Sequence, residues 1–569
     1  MEPLELALMS ERTSFGTTPH SSQREISRAP PLHALNTPPS LSLLSRSRRP
    51  HLRSPFSFDM SGLTRGVLLA CGFASIGAFM FGADNAWWGT VNGLAHFGQV
   101  FGSKETVAAD GTVTRSLTAG ELSAGTSIGY AGIMIGCLLA IPVGRLGGRR
   151  FGIKLMGVVA LVGILIEITA SVKGYRYAQL LVGKVIVSVS MGLAANVVPV
   201  YQSELAPAKW RGFTINLYQT IQVVGVIVST ACVYALNTRT TSVSWQVPIG
   251  IQFAAPALLL AGVWFMPESP RWLVFQGRSE EARAVLEALH GSTPGYSAEE
   301  EVAELTAAFE YEKSVQKPSI WAVFKGSDRR RALISMGVMC LQQAQGSSYM
   351  TNYIVIFLMA LGFTDVFKLV MCIYCVYLAA ILFSFYLPDR FGRRSMLLWT
   401  AALCATTLFI VCGINVKYGE VVPPAAQKAA LAMIFIWYFA FGAGWSPLVW
   451  ITCTEVCSAR AREPTLSAAT FGAFATALII TLVSPYIQDA GYGNLGAKIG
   501  FFWAAFTAIS IPFVYFFVPE MKGLTLEQID YLFDKGVSAR KFGAAPLFDH
   551  EAHISSLPAG DDSLKGEEK

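Results

Sequence analysis

The sequence predicts an all-α membrane protein: twelve transmembrane helices in two six-helix halves that repeat in parallel. Three observations carry that reading. Hydrophobic residues make up 53% of the 569 and charged residues 14%, against ~25% charged in an average soluble protein, so there is too little polar side chain to cover a water-facing globule. Long apolar stretches recur along the chain, and basic residues crowd every second loop between them. Short motifs from the first half return in the second at near-constant spacing.

Taken in order, residues 1–65 are rich in Ser and Pro and hold the basic run Arg46, Arg48, Arg49 and Arg53. They lack an apolar segment ahead of a cleavage site, which predicts a disordered cytoplasmic tail rather than a signal peptide. Glu2, Glu5, Glu11 and Glu25 argue against a transit peptide. A spanning helix needs ~20 predominantly apolar residues. The first six such stretches fall at 66–88, 122–144, 152–172, 178–200, 213–235 and 246–266. Residues 267–331 are charged with helical periodicity (SEEARAVLEALH, then AEEEVAELTAAFEYEK), which predicts a cytoplasmic helical linker. Six more stretches follow at 332–358, 364–387, 395–415, 426–452, 466–487 and 498–518, and residues 519–569 form a second cytoplasmic tail.

Charge sets the orientation. Arg145, Arg149, Arg150 and Lys154 share one loop region, Lys209 and Arg211 the next, then Arg329, Arg330 and Arg331, then Arg390, Arg393 and Arg394, then Arg460 and Arg462. The alternate loops hold few: Lys173 and Arg176 in one, Arg239 in another. Because Lys and Arg are retained on the cytoplasmic side, both termini and the linker are expected there. The net charge of +6 is spread over these clusters and forms no single basic face, so nucleic acid is not the expected partner. The ten cysteines lie almost wholly in apolar segments, without paired CxxC blocks or a Cys/His cluster at metal-ligand spacing, which argues against a disulfide framework and a zinc site. Cys372 and Cys375, one turn apart, read as packing. No phosphate-binding glycine loop follows a strand and no nucleophile-base-acid set is recognisable, so the chain is not expected to be an enzyme.

The repeat is explicit in the residues. GRLGGRR at 144–150 returns as DRFGRR at 389–394, Glu204 lies seven residues before Arg211 as Glu455 does before Arg462, and Pro267-Glu268 returns as Pro519-Glu520. The offsets are 245 from Gly147 to Gly392, 251 from Glu204 to Glu455 and 252 from Pro267 to Pro519. One six-helix unit is duplicated in the same orientation, which places a site between the halves near the bilayer midplane. Glu204, Arg211, Arg145 and Arg149 in one half, and Glu455, Arg462, Asp389, Arg390 and Arg394 in the other, are expected to form ion pairs that hold the cytoplasmic face shut. Surface pairs are each worth only ~0–1 kcal/mol, so such a gate biases two states rather than locking one.

PESPRWL at 267–273, VPEMKGLTLEQID at 518–530, VPVYQSELAPAKWRG at 198–212, LPDRFGRR at 387–394 and LQQAQG at 341–346 together resemble the sugar porter family of the major facilitator superfamily, with a likeness closest to fungal hexose and α-glucoside permeases. The resemblance covers about residues 66–530 and implies the major facilitator fold. It also implies a central cavity in which Gln and Asn hydrogen-bond sugar hydroxyls while aromatic rings face the apolar side of the sugar. Carried over by position, Gln219 stands six residues before Gly225, Gln342 and Gln343 match paired glutamines of span seven, and Trp450 and Phe441 match aromatic positions of span ten. Ser348 stands where the family commonly has Asn, and Asn352 where it has the first of two tyrosines, with Tyr353 kept. Ala473 and Ala477 replace polar positions of span eleven, and Phe474 replaces a Trp. A membrane glutamine also serves as an interhelical partner, and Trp450 also fits an interfacial aromatic belt.

An ionisable group within a span costs ~2.5–3.5 kcal/mol on insertion scales and is a functional hypothesis by default. Asp84, in FGADNAWWG, matches the span-one acid of proton-coupled sugar porters, and Lys184 stands where the family has Arg. The resemblance implies that a proton, the one coupling ion and no further cofactor, makes and breaks the Asp84–Lys184 pair. Lysine in place of Arg removes a planar bidentate fork, and Gly144 replaces an Asp that survives as Asp389. Glu167 in span three is assigned no role. The expected function is import of a sugar, a hexose first, by alternating access with proton symport, at the plasma membrane, by a monomer whose partners are the sugar and the lipid bilayer. Facilitative uniport, an α-glucoside, polyol or quinate-like cargo, and a sugar sensor remain as alternatives; the short stretch after Asp530 argues against the sensor.

Overall fold

The computed structural model describes residues 63–544, apart from short stretches at 108–112, 173, 175, 208–209, 294, 315–321, 420–421, 459–460, 490 and 525. The N-terminal basic run Arg46, Arg48, Arg49 and Arg53, the far C-terminal tail, and Lys173, Lys209 and Arg460 lie outside the described residues.

Span one is made of α1 (Arg65–Ala74) and α2 (Ile76–Val91). They part at Ser75, whose hydroxyl donates to the Cys71 carbonyl (2.8 Å) and accepts from Gln202 Nε2 (2.8 Å). A short helix α3 (Ala95–Phe101) and an antiparallel hairpin of β1 (Lys104–Val107) and β2 (Val113–Ser116) follow, with Lys104 opposite Ser116. The sequence Thr-Ala-Gly-Glu then starts α4 (Ala119–Thr169) as a capping box: Glu121 N–H donates to Thr118 Oγ1 and Thr118 N–H to Glu121 Oε2. The 51 residues of α4 hold both span two and span three, joined at Gly148. Spans four and five are α5 (Tyr177–Leu205) and α6 (Arg211–Leu236), and span six is α7 (Val243–Ile251) with α8 (Ala254–Gly262). The linker folds as α9 (Pro270–Phe275), α10 (Ser279–His290) and α11 (Ala298–Ser314).

The second half repeats the plan. Span seven runs from α12 (Gly326–Gln342) through a π-helical turn, Gln343–Ser347, into α13 (Ser348–Ala360), with Gly346 at φ 95°. Spans eight and nine are α14 (Val366–Ser384) and, after the short α15 (Leu387–Phe391), α16 (Arg393–Tyr418). Span ten is α17 (Pro424–Ala443) and α18 (Trp445–Val456), parted at Gly444; spans eleven and twelve are α19 (Arg462–Gln488) and α20 (Gly500–Phe517). A last helix, α21 (Leu526–Asp534), docks on the foot of span seven. There Arg331, 2% exposed, pairs with Asp530 and with Asp534 (3.1 Å). Among the described residues, ten stretches are long and apolar enough to cross a bilayer. One of them is the double-length α4, and span seven escapes that count because its π turn interrupts it, so the chain crosses twelve times as the sequence predicts. Leu139, Leu165, Leu258 and Ile479 are among the apolar side chains left exposed, as a lipid-facing surface requires.

The repeat is visible at atomic level, with one shift of register. Gly148 (φ 80°, ψ −177°), not Gly147, is the counterpart of Gly392 (φ 89°, ψ 155°), so this offset is 392 − 148 = 244. The first loop carries one residue more before its kink, and only the backbone angles reveal which glycine makes it. Both angles lie in a region that is essentially closed to other residues. At each kink a PE-motif carboxylate accepts the first N–H groups of the next helix. Glu268 takes Arg149 N (2.9 Å) and Arg150 N (3.3 Å), and Glu520 takes Arg393 N (2.9 Å) and Arg394 N (3.2 Å). An anion at a helix N-terminus satisfies orphan donors and opposes the dipole. Burial pushes the Glu268 carboxyl above the usual carboxylate range, against the pull of the Ser269, Arg149 and Arg150 N–H groups. A Cβ at Gly392 would stand 2.5 Å from Glu520 Oε2. Gly392→Ala is therefore expected to destabilise the fold by about 1–3 kcal/mol, read as a lowered apparent melting temperature in detergent. Gly413→Ala, in open space within α16, is expected not to lower it.

A candidate binding cavity beside a buried ion pair

Asp84 of α2 and Lys184 of α5 meet in the interior of the first half. Lys184 Nζ lies 2.6 Å from Asp84 Oδ2 and also donates to the Asp84 carbonyl at 3.2 Å. Asp84 is fully buried and the Lys184 side chain 5% exposed. The second carboxylate oxygen accepts from Trp87 Nε1 (3.0 Å), three residues along the same helix. Gln252, at the break between α7 and α8, completes the set. With its amide turned so that nitrogen faces the carboxylate, it donates to Asp84 Oδ1 (3.2 Å) and accepts from Trp87 Nε1 (2.8 Å). A buried ion pair survives only when its remaining donors and acceptors are satisfied, and here spans one, four and six do so together.

Asp84 and Lys184 line a small cavity with Thr126, Tyr130 and, from the other half, Asn352. It has room for about one water. Asn352 Nδ2 donates across the seam to Tyr130 OH (2.9 Å). Nearby the halves also touch backbone to backbone: a Cβ at Gly89 would lie 2.6 Å from the Thr351 carbonyl oxygen. Ser123 Oγ of α4 donates to the Leu482 carbonyl of α19 (2.5 Å).

The predicted site residues divide into a connected group and two outliers. Gln342 Nε2 donates to the Trp445 and Ser446 carbonyls (2.9 and 3.1 Å), fastening the break in span seven to the break in span ten. Gln343 Nε2 reaches Gln342 Oε1 (3.4 Å), and Gln343 Oε1 accepts from Ser348 Oγ (2.6 Å). The Ser348 carbonyl accepts from Asn352 Nδ2 (2.8 Å). Phe441 joins through packing: it stacks on Trp437 (5.1 Å, 3°) and on Tyr377 (6.4 Å, 26°), and Tyr377 OH lies 2.8 Å from Ser446 Oγ. Gln219 on α6 and Trp450 on α18 are half-buried and stand outside this chain of hydrogen bonds. Phe474 sits between Phe81 and Tyr130, at 6.5 and 6.4 Å. Sequence reasoning missed Gln252 and Tyr130, although each is a polar group inside a predicted span. Glu167 of α4, given no role, is fully buried against Gly183, next in sequence to Lys184.

The charged gate residues pair within each half. Arg149 holds Glu204 through two bonds, Nη2 to Oε1 (2.6 Å) and Nε to Oε2 (2.8 Å). In the second half Glu455 pairs with Arg393, Nη2 to Oε1 at 3.2 Å, a residue absent from the expected set of Asp389, Arg390, Arg394 and Arg462. The GRR register explains the correction, since Arg393 is the counterpart of Arg149. Arg394 instead donates to the Tyr515 carbonyl (2.8 Å), as Arg150 does to that of Trp264 (3.0 Å). The carbonyl of Arg390 accepts from Lys522 Nζ (2.8 Å), and that of Arg145 from Trp272 Nε1 (3.3 Å). Arg462 is half-buried with no acceptor at Nε, and the side chains of Arg211 and Asp389 lie outside the described residues. The Arg149–Glu204 pair is mostly buried, so Glu204→Gln is expected to cost about 1.5–3 kcal/mol of stability. The loss, read as a fall in melting temperature, should change little with salt.

Comparison with known proteins identifies the family and the fold. The family model described as "Sugar (and other) transporter" matches residues 70–533. The major facilitator-type transporter ecdD of Aspergillus rugulosus is 31% identical over 485 residues, 83% of this chain and 88% of that protein. The low-affinity glucose transporter HXT1 of Saccharomyces cerevisiae is 28% identical over 483 residues, covering 83% and 82%. Among solved structures, the inward-open xylose transporter XylE from E. coli superposes with a TM-score of 0.67 at 19% identity, over 82% of this chain and 99% of XylE. The chain belongs to the sugar transporter family and has its twelve-helix major facilitator fold.

Proposed function

We propose that this protein carries a hexose into the cell by alternating access, driven by a proton that binds Asp84. The observation that carries the reading is that the Asp84–Lys184 pair lines the same cavity as Asn352 and Tyr130, so the ionisable group and the polar groups suited to sugar hydroxyls share one wall. When Asp84 is ionised, Lys184 ties span four to span one. Protonation removes that tie. Span one in turn meets span seven at Gly89 and Thr351, which gives the proton a mechanical route to the seam between the halves. The hexose assignment draws support from the yeast relative's description as a glucose transporter and from the neutral donors and acceptors of Gln343, Ser348 and Asn352. In this reading the Arg149 and Arg393 pairs face the cytoplasm, because Lys and Arg are retained on that side, and the protein works at the plasma membrane as a monomer, one chain supplying both halves of the cavity.

The test is uptake of labelled hexoses, α-glucosides and polyols in cells lacking their own transporters, with external pH recorded. Alkalinisation of the medium on adding a hexose is the expected result. A sugar that equilibrates with no pH change makes the protein a uniporter, and no uptake despite surface expression removes simple sugars from its cargo.

A further inference from the structure

Glu167 is the buried ionisable group that the Asp84–Lys184 pair leaves unused. It is 0% exposed on α4, and neither carboxylate oxygen accepts a hydrogen bond. Its Cγ packs on Gly183, where a Cβ would come within 2.6 Å, next in sequence to Lys184. The charged groups that act on it are Asp84 from α2 and Lys184 from α5. Span six brings neutral Gln252 to the same cluster, where it bonds Asp84. Two carboxylates therefore lie within electrostatic reach of one ammonium in a buried interior. Burying an ionised carboxylate that has no donor is far costlier than burying the neutral acid. Charge balance then puts one proton on the two acids: Asp84 is ionised against Lys184, and Glu167 holds the proton.

We infer that Glu167 is the alternate partner of Lys184: the two carboxylates share one proton, and the ammonium pairs with whichever of them lacks it. For its part in transport this rests on the symport reading above. Asp84 gains an O–H bond to a proton arriving from one side of the membrane, and its ion pair breaks. The ammonium moves to Glu167, whose O–H bond breaks and whose proton leaves to water on the other side. The charge of the cluster is the same before and after, so no ammonium is stranded in the interior. Lysine suits this exchange better than arginine, because it is a point charge on a flexible stem rather than a rigid fork.

The test is infrared spectroscopy of the purified full-length protein in lipid, following the C=O stretch of protonated carboxylic acids and its shift in D2O. At neutral pH the wild type is expected to show a band that Glu167→Gln removes. Asp84→Asn is expected to remove the same band, because Lys184 then has only Glu167 to pair with and ionises it. Persistence of the Glu167 band in Asp84→Asn overturns the inference, as does an unchanged band in Glu167→Gln. In proteoliposomes, Glu167→Gln should lower proton-driven D-glucose accumulation about tenfold or more, since a protonated Asp84 would strand the buried ammonium, while glucose exchange continues. If Asp84→Asn leaves accumulation untouched while the infrared band is lost, the symport reading fails and the shared proton stands.

Discussion

Asp84→Asn is expected to abolish uphill accumulation of sugar, bringing the inside-to-outside ratio to one, while exchange of labelled for unlabelled sugar continues. Asparagine keeps the shape of the side chain and an oxygen for Trp87 Nε1, now 3.0 Å from the carboxylate. It cannot take up or give back a proton, so the gradient has no handle on the contact between spans one and four. Removing one partner of a buried pair ordinarily costs ~3–5 kcal/mol, because the other charge is left unpaired. Glu167 should soften that loss by receiving Lys184, so the variant is expected to fold. Labelled uptake, exchange and external pH, measured on the same cells, separate the outcomes. Accumulation that persists in Asp84→Asn rules out coupling through this residue.

The twelve spans were legible because crossing a bilayer demands continuous apolar runs, and composition alone reveals them. The breaks inside spans one, seven and ten were not legible. Each is held by a contact from another helix: Gln202 at Ser75, and Gln342 at the start of α18. A one-dimensional pattern does not show where such a partner lies. The parallel repeat was legible from its motifs, yet its register slipped at Gly147 and Gly148, which are chemically identical and differ only in backbone angle. The same slip hid Arg393 behind Arg390 and Arg394. Asp84 and Lys184 could be named in advance because charge is rare within a span and because both stand at positions that the family resemblance marks. Glu167 is equally rare and was left without a role, since only the folded chain shows that its oxygens meet no donor while the Asp84–Lys184 pair stands close by.

Gly89→Trp is expected to slow transport sharply while leaving sugar binding intact from the side opposite the basic loops. Gly89 lets α2 meet α13 at the seam, where a Cβ would stand 2.6 Å from the Thr351 carbonyl oxygen and 3.2 Å from the Asn352 Cα. These are backbone atoms, so no rotamer change can make room, and an indole there wedges the halves apart on that face. Overpacking typically costs ~1–3 kcal/mol, occasionally more, and each ~1.4 kcal/mol removes a factor of ten from the closed population. Uptake should therefore fall roughly ten- to hundredfold. Ser123 is now buried, its hydroxyl on the Leu482 carbonyl. A Ser123→Cys reporter should react slowly with an impermeant maleimide in the parent background and quickly beside Gly89→Trp. Unchanged uptake, or no gain in labelling, would show that this seam does not open during transport. Alternating access would then have to run through other contacts between the halves, such as Asn216 with Ser384 (3.2 Å).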